Sequence, residues 1–231
     1  MLHEDGIWWA GSHGLDSDAD PAPNRELLFK TNIPAAASDN IALRAGPFSL
    51  SDVINQSIQQ AAEAGEFSTL APKKGGINIE GMSVTGDGDL LVALRSPLSK
   101  GMVGDALVLQ MAFDDGKFEL AASYQLDLND RGIRDLVTSD NGYLLIAGDI
   151  DSGGEFSIFE WKPQGKISKL LDLPADFNAE ALIDMGDRWL VLSDDGKVER
   201  RKDKSCDKLL KKNPARNSDR IYFRGLVFSP G

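Results

Sequence analysis

Residues 77–96 read INIEGMSVTGDGDLLVALRS. An alternating apolar run, a Gly-Asp-Gly-Asp turn and a second apolar run spell strand, tight turn, strand. The pattern returns at residues 132–150, GIRDLVTSDNGYLLIAGDI, and at residues 177–195, FNAEALIDMGDRWLVLSDD. Half copies stand at residues 6–13, GIWWAGSH, and residues 222–228, YFRGLVF. Between the full copies lie further apolar runs, joined by turn formers such as Asp114-Asp115-Gly116 and Gln164-Gly165. Equivalent charged residues mark the period. Glu80, Arg134, Glu180 and Arg224 each precede a large apolar residue by two positions, at intervals of 54, 46 and 44 residues. Four antiparallel strands in each period of about 40–50 residues are the mark of a propeller blade.

The expected fold is therefore all-β. It is a β-propeller of about four four-stranded antiparallel blades, one domain over residues 1–231. The last strand, residues 222–228, is expected to pair beside residues 6–12 and close one blade from both termini. Residues 197–201 and 206–210 are expected as the outer strands of the preceding unit. One segment breaks the β pattern. Residues 50–64 place Val53, Ile54, Ser57, Ile58, Ala61 and Ala62 on one helical face, with Ser49 or Ser51 to cap the start and Gly65 to end it. This helix is expected to pack outside the blades.

Composition narrows the classes of function. The net charge of −11 argues against nucleic acid and against an anionic membrane surface as partner. Cys206 is the one cysteine, so no intrachain disulfide and no cysteine metal site is available. His3 and His13 are the two histidines, too few for a histidine-based metal centre. No apolar run reaches the roughly 18 residues of a membrane span, and no signal peptide precedes Gly6. A soluble cytoplasmic or periplasmic protein is expected. Met1 stands a few residues before a strand, which also suits a start inside a longer natural chain.

The candidate site follows from the repeat. A charge in the middle of an apolar strand is costly unless it meets water or a partner. The first strand of a propeller blade lines the central channel, so Glu80, Arg134, Glu180 and Arg224 are expected to form a ring of alternating sign, with Asp135 beside it. A second register, at the end of the second strands, aligns His13, Arg95, Asp149 and Asp194. One face of the disc would then gather both sets, with Asp195. Such a set suits a polar or ionic ligand, a Ca²⁺ or Mg²⁺ ion, or acid–base work. The plain alternative is structural, with the charges pairing among themselves and fixing the geometry of the blades. The Asp16, Asp18, Asp20 loop lacks the glycine and distal glutamate of a calcium loop. Residues 197–216 form a basic run without interleaved aromatics and read as a solvated edge. No nucleophile elbow or phosphate loop is present.

IEGM with ALRSP, RGIRDL with LLIAG, NAEAL with VLSDDG, and GSHG followed by NRELLF resemble, in the same order, the bacterial family called domain of unknown function 3616. The resemblance covers nearly the whole chain. It implies a propeller-like fold without an assigned activity, and a distant similarity to the esterase-like phytase propellers, which share an inner strand containing Glu-Gly. Members of the family are usually longer at the N-terminus, with acidic motifs and a further blade or two that this chain lacks. Three functions follow as expectations. The first is binding of a small polar ligand or a partner at the channel mouth. The second is a metal-assisted phosphoester or ester hydrolase, with Glu80, Glu180 and Asp149 or Asp194 as ligands or bases and Arg95 and Arg134 holding phosphate. The third is a scaffold for protein interaction.

Overall fold

The computed structural model of the 231-residue chain describes residues 2–3, 6–36, 40–63, 65–151, 154–163, 165–195, 200–201, 209–210 and 224–229. Strands β1 (Leu2–His3), β2 (Gly6–Ala10), β3 (Leu28–Asn32) and β4 (Leu43–Phe48) form sheet 1 in that order. The helix α1 (Ser51–Ala61) follows. Sheet 2 is β5 (Asn78–Val84), β6 (Leu90–Ser96), β7 (Ala106–Asp114) and β8 (Lys117–Leu126). Sheet 3 is β9 (Gly132–Ser139), β10 (Gly142–Gly148), β11 (Ser157–Trp161) and β12 (Ser168–Asp172). Sheet 4 begins with β13 (Ala179–Asp184) and β14 (Trp189–Ser193). A small ribbon, β15 (Arg200–Arg201) with β16 (Leu209–Leu210), intervenes before β17 (Gly225–Phe228) joins β14 as the third strand of sheet 4. Within sheets 1, 2 and 3 each strand pairs antiparallel with its neighbour in the chain, so the fold is an all-β, propeller-like array of meanders.

The hairpins form where the turn chemistry demands. Asp115 and Gly116 both take positive φ, +44° and +79°, in the two-residue loop between β7 and β8. That is the backbone a tight hairpin requires, and aspartate and glycine tolerate it best. The strands explain the stacking. Every residue of β6 is buried, and six of the seven in β10. Their near-continuous apolar runs serve two cores at once. Leu91 and Ala93 face sheet 3 with Leu145 and Trp161, whereas Val92 and Leu94 face sheet 1 with Leu28. Leu144 and Ile146 turn the other way, onto Leu182, Trp189 and Val191 of sheet 4. Short polar ties cross the joints. The Tyr143 hydroxyl donates to the Val84 carbonyl at 3.0 Å, and Ser83 and Thr138 share a hydrogen bond at 3.0 Å.

Helix α1 keeps the expected face. Ile54 and Ile58 are fully buried in the core between sheets 1 and 2, with Ser57 beside them and Val53 and Ala62 packed at the margin. Burying each isoleucine contributes about 1.5–3 kcal/mol. The helix thus lies on the outside of the blades as expected, against the outermost strand β8, with its apolar face closing the outer end of the joint between sheets 1 and 2. At its start the Ser49 hydroxyl, one of the two caps expected, accepts from Ser51 N at 3.2 Å, though from the position before the cap. Leu50 occupies the cap position, and its backbone N–H donates to His13 Nε2 at 3.1 Å. Among the described residues no helix is long and apolar enough to cross a membrane.

Two expectations about the end of the chain are corrected. The described part of residues 222–228 does not pair beside residues 6–12. The described part, β17, runs along β14, with Leu226 opposite Val191 and Phe228 opposite Trp189, while β2 is already flanked by β1 and β3. Nor do β15 and β16 extend sheet 4. The described parts of residues 197–201 and 206–210 pair only with each other. The cause is apolar matching. Leu226 and Phe228 supply a pair of side chains that packs against the core between sheets 3 and 4. The Lys/Arg-rich stretch around β15 has no alternating apolar pair to match them, its large aliphatic residues being only Val198 and the adjacent Leu209 and Leu210. The rest of that stretch lies outside the described residues.

His13 is a switchable element in this frame. It sits at φ +53° and is buried, its Nδ1 donating to the Gly11 carbonyl at 2.9 Å while Nε2 accepts from Leu50. Burial pushes its pKa below the ordinary 6.5, against a weaker upward pull from Gly11. A histidine held neutral by the fold contributes stability above its unfolded pKa, and loses it as pH falls below about 6.5. His13→Asn, which tolerates the left-handed backbone, is expected to lower stability by about 1 kcal/mol and to flatten the fall in melting temperature between pH 7 and pH 5. Thermal melts of both proteins across that range check this.

Candidate functional site

The inner strands β5, β9 and β13 stand side by side, and each is broken at the same place. In β5, Ile79 pairs with Leu94 and Gly81 with Ala93, leaving Glu80 as an extra residue. In β9, Ile133 and Asp135 pair while Arg134 is extra. In β13, Ala179 and Ala181 pair while Glu180 is extra. Three β-bulges at equivalent positions therefore carry the three charges. A bulge leaves its extra residue outside the ladder and re-aims its side chain. Arg95 falls at a second register shift, between Leu94 and Ser96 on β6.

These four residues meet. Arg134 Nη1 lies 3.1 Å from Glu180 Oε1 and 3.4 Å from Glu80 Oε2. Arg95 Nη1 lies 2.9 Å from Glu80 Oε1. The backbone of residues 149–151, leaving β10, crosses over the guanidinium groups. Arg134 Nη2 donates to the carbonyls of Asp149 at 2.9 Å and Asp151 at 3.3 Å, and Arg95 Nη2 donates to Asp151 at 2.7 Å. The Arg134 guanidinium also rests over the Phe156 ring, 5.3 Å from its centroid. Two cations and two anions cancel within the cluster.

The remaining expected residues divide. Asp149 gives the ring its backbone carbonyl, and its carboxylate acts on Arg134 through space. Asp194 acts on Glu180 through space. Asp135 stands one residue behind the ring and serves the joint between blades. One carboxylate oxygen accepts from Leu136 N at 2.8 Å and the other from Leu182 N on β13 at 2.7 Å. Burial pushes the Asp135 pKa up, and these two backbone bonds pull it down. Two residues are corrected. Arg224 does not close the ring, because β17 took the third place in sheet 4 and not an inner one. It pairs instead with Asp195, Nη2 to Oδ1 at 2.9 Å, and with Asp176. His13 belongs to the start of α1, as described, and its partners are Gly11 and Leu50. Alignment by spacing missed both because it cannot see which sheet edge a strand joins.

Two site residues escaped the sequence reading. Asn78 Nδ2 donates to Glu80 Oε1 at 2.8 Å, and Asn178 Nδ2 donates to Glu180 Oε1 at 3.1 Å. Each asparagine precedes its glutamate by two residues, so a repeated Asn-x-Glu was there to be found. Among the described residues, no three histidine, cysteine, aspartate or glutamate side chains gather closely enough to hold a metal ion.

A propeller-like protein with a self-neutralised charged cluster at the inner edge of its blades is the class that fold and site define. Within that class the chain belongs to the family described as "Protein of unknown function (DUF3616)", whose profile matches residues 26–206. No curated protein matches it. The solved structures similar to it include two from Bacteroides. One is a "putative 6-phosphogluconolactonase" from Bacteroides fragilis NCTC 9343, at 19% identity and a TM-score of 0.35, over 80% of this chain and 47% of that one. The other is a "putative 6-phosphogluconolactonase" from Bacteroides uniformis ATCC 8492, at 14% identity and a TM-score of 0.38, over 91% of this chain and 68% of that one. The chain thus spans about half the length of the first.

The cluster sets two stability tests. Arg134→Ala leaves Glu80 and Glu180 facing each other over a void, and removing one partner of a buried ion pair costs about 3–5 kcal/mol. Arg134→Lys is expected to recover little, because one ammonium cannot reach both glutamates and two carbonyls. Chemical denaturation measures both. Asp195 sets the second test. The Arg224 guanidinium, with help from Ser193, lowers its carboxyl to about 2. The ionised form therefore favours the fold, fully so above about pH 4 and progressively less down to about pH 2. Asp195→Asn is expected to lose less stability than the parent across that window.

Proposed function

We propose that this protein is a binding module whose inner cluster receives a polar ligand rich in hydrogen-bond donors, such as a polyol or a protonated amine. One observation carries the reading. The side chains of Arg134 and Arg95 are only 3% and 10% exposed, while Glu80 is 21% and Glu180 35% exposed. A ligand approaching the inner edge meets the Glu180 carboxylate first, because Glu80 Oε2 is buried and Glu80 Oε1 is held by Arg95 and Asn78, and the cations lie beneath. Acceptors at the surface call for donors on the ligand.

The same inversion weighs against the hydrolase reading. Phosphate held by Arg95 and Arg134 would need guanidinium N–H groups turned outward. Their terminal nitrogens are instead committed to glutamates and to the carbonyls of residues 149–151. Glu180 is the contact residue of choice. Burial raises its pKa, Arg134 opposes this, and Glu80 adds to it. A carboxylate whose charge the fold disfavours gains from a donor that completes its hydrogen bonds.

Thermal shift with three probe sets tests the reading: polyols, protonated polyamines, and phosphate monoesters with and without Ca²⁺. The melting temperature is expected to rise with a polyol or a polyamine and to stay unchanged with the phosphate esters. Glu180→Gln keeps an oxygen for Arg134 and Asn178, so it should melt near the parent while losing the ligand response. Hydrolysis of a phosphate or carboxyl ester by the parent would overturn the reading.

A further inference from the structure

Helix α1 and its cap residue carry Leu50, Ile54 and Ile58 into the core that joins sheets 1 and 2, and all three are fully buried. The two ends of the helix are held by different chemistry. Beyond the last turn, Glu63 N donates to the Ser99 carbonyl at 2.7 Å, a bond between backbone groups that does not titrate. At the start, the buried Leu50 N–H donates to His13 Nε2 at 3.1 Å. The other ring nitrogen, Nδ1, donates to the Gly11 carbonyl at 2.9 Å. A neutral imidazole has one N–H and one lone pair, and here both are engaged. The start of α1 thus hangs on a lone pair that a proton can take.

The ring cannot step aside. The His13 backbone N–H donates to the Arg25 carbonyl at 3.0 Å, and the Ser12 carbonyl accepts from Ile79 N on β5 at 2.9 Å. Gly11 and Gly14 flank the histidine so tightly that a side-chain carbon would collide with the Arg25 carbonyl at the first and the Ile77 carbonyl at the second. A second ring proton sets N–H against N–H, leaves Leu50 N a buried donor with no acceptor, and places a cation at the positive end of the helix. The elements round the ring carry Arg25, Glu26, Arg44, Asp52, Lys73 and Lys74. Glu26 favours the charged ring through space, but its Oε2 already accepts from Ser51 Oγ at 3.0 Å. The Arg25 guanidinium turns to the Leu15 carbonyl, and Arg44, Asp52, Lys73 and Lys74 are exposed.

We infer that His13 is a proton-operated latch on helix α1, whose protonation releases the start of the helix and opens the outer end of the joint between sheets 1 and 2 while the sheets themselves stay formed. The opening is local, and goes beyond the share His13 has in the stability of the whole fold. An opened start uncovers part of the core that α1 shares with Leu28, Leu107 and Leu109. Burial holds the pKa of the ring below 6.5 while α1 is closed, so opening takes up a proton as pH falls below about 6.5. One proton bound on opening raises the opening constant by up to about tenfold for each pH unit.

Backbone hydrogen exchange in the full chain, corrected for the intrinsic pH dependence of amide exchange, tests this between about pH 7.5 and pH 5. Amides of residues 54–58 in α1 are expected to be less protected than those of residues 91–94 in β6, through an opening that low urea barely changes. Their protection is expected to fall by up to about tenfold per pH unit below about pH 6.5. His13→Asn, which cannot take up the proton, is expected to keep the local opening and lose its pH dependence. Equal protection in α1 and β6 across the range overturns the proposal, since only the whole fold would then open. Protection in α1 that does not change with pH overturns it too. So does a pH-dependent fall that survives in folded His13→Asn, because another group would then be the latch. The first two outcomes are read on the parent alone, whether or not the variant folds.

Discussion

The Arg134 guanidinium is nearly as buried as a core leucine, and a charge in that position must have its partners brought to it. Strand β9 supplies the arginine, β5 supplies Glu80 and β13 supplies Glu180, while the chain leaving β10 returns two carbonyls. Three consecutive sheets are thereby tied at one point on their inner edges. The bulges make this possible. A regular ladder would send Glu80, Arg134 and Glu180 into pairings with their own hairpin partners, whereas the extra residue is released from the ladder and turned towards the neighbouring blade. Apolar cores hold the sheets face to face, and the charged cluster fixes how far along each other they slide.

That division of labour explains the residues beside the cluster. The position after each bulge faces the next sheet at short range. Gly81 leaves space there, for a side-chain carbon would meet Leu136 N and Cβ at 3.1 Å. Asp135 uses the space in the next joint to bind Leu182 N, a backbone donor that would otherwise be buried and unmet. Ala181 holds the third position, on the outer face of sheet 4, where no joint follows among the described residues. Glycine, aspartate and alanine at one structural position are therefore three answers to different neighbours, not drift around one role.

The blades were legible in the sequence because period-2 alternation and Asp-Gly or Asn-Gly turns are local signals. Glu80, Arg134 and Glu180 were legible as a set because their spacing repeats with the hairpins. Helix α1 was legible by its face, but its cap was not. The partner of Leu50 N is His13, 37 residues away, and no local pattern announces so distant an acceptor. The bulges were hidden for a related reason. An extra residue changes pairing between strands, and the one-dimensional pattern of apolar residues shifts by a single place that side-chain spacing absorbs. Asn78 and Asn178 were readable and missed, since an asparagine ahead of a strand looks like turn chemistry until its twin is noticed.

Arg224 shows where spacing misleads. It sits two residues before Leu226, as Arg134 sits before Leu136, and the interval from Glu180 matches the repeat. The strand that follows it nevertheless joins the free edge of β14. That edge offered Leu192 to Trp189 as pairing partners, and Leu226 with Phe228 completed the core beneath. The basic stretch before it holds, as large aliphatic residues among its charges, only Val198 and the adjacent Leu209 and Leu210, with no alternating apolar pair to compete for the place. Arg224 then found carboxylates of its own, Asp195 at the end of β14 and Asp176 ahead of β13, and its guanidinium settled over the Phe177 ring at 5.6 Å. The arginine keeps the chemistry of the inner ring, a buried carboxylate and an aromatic face, but performs it two strand positions further out. In this fold the apolar match decides which edge a strand joins, and the charges pair with whatever that choice brings near.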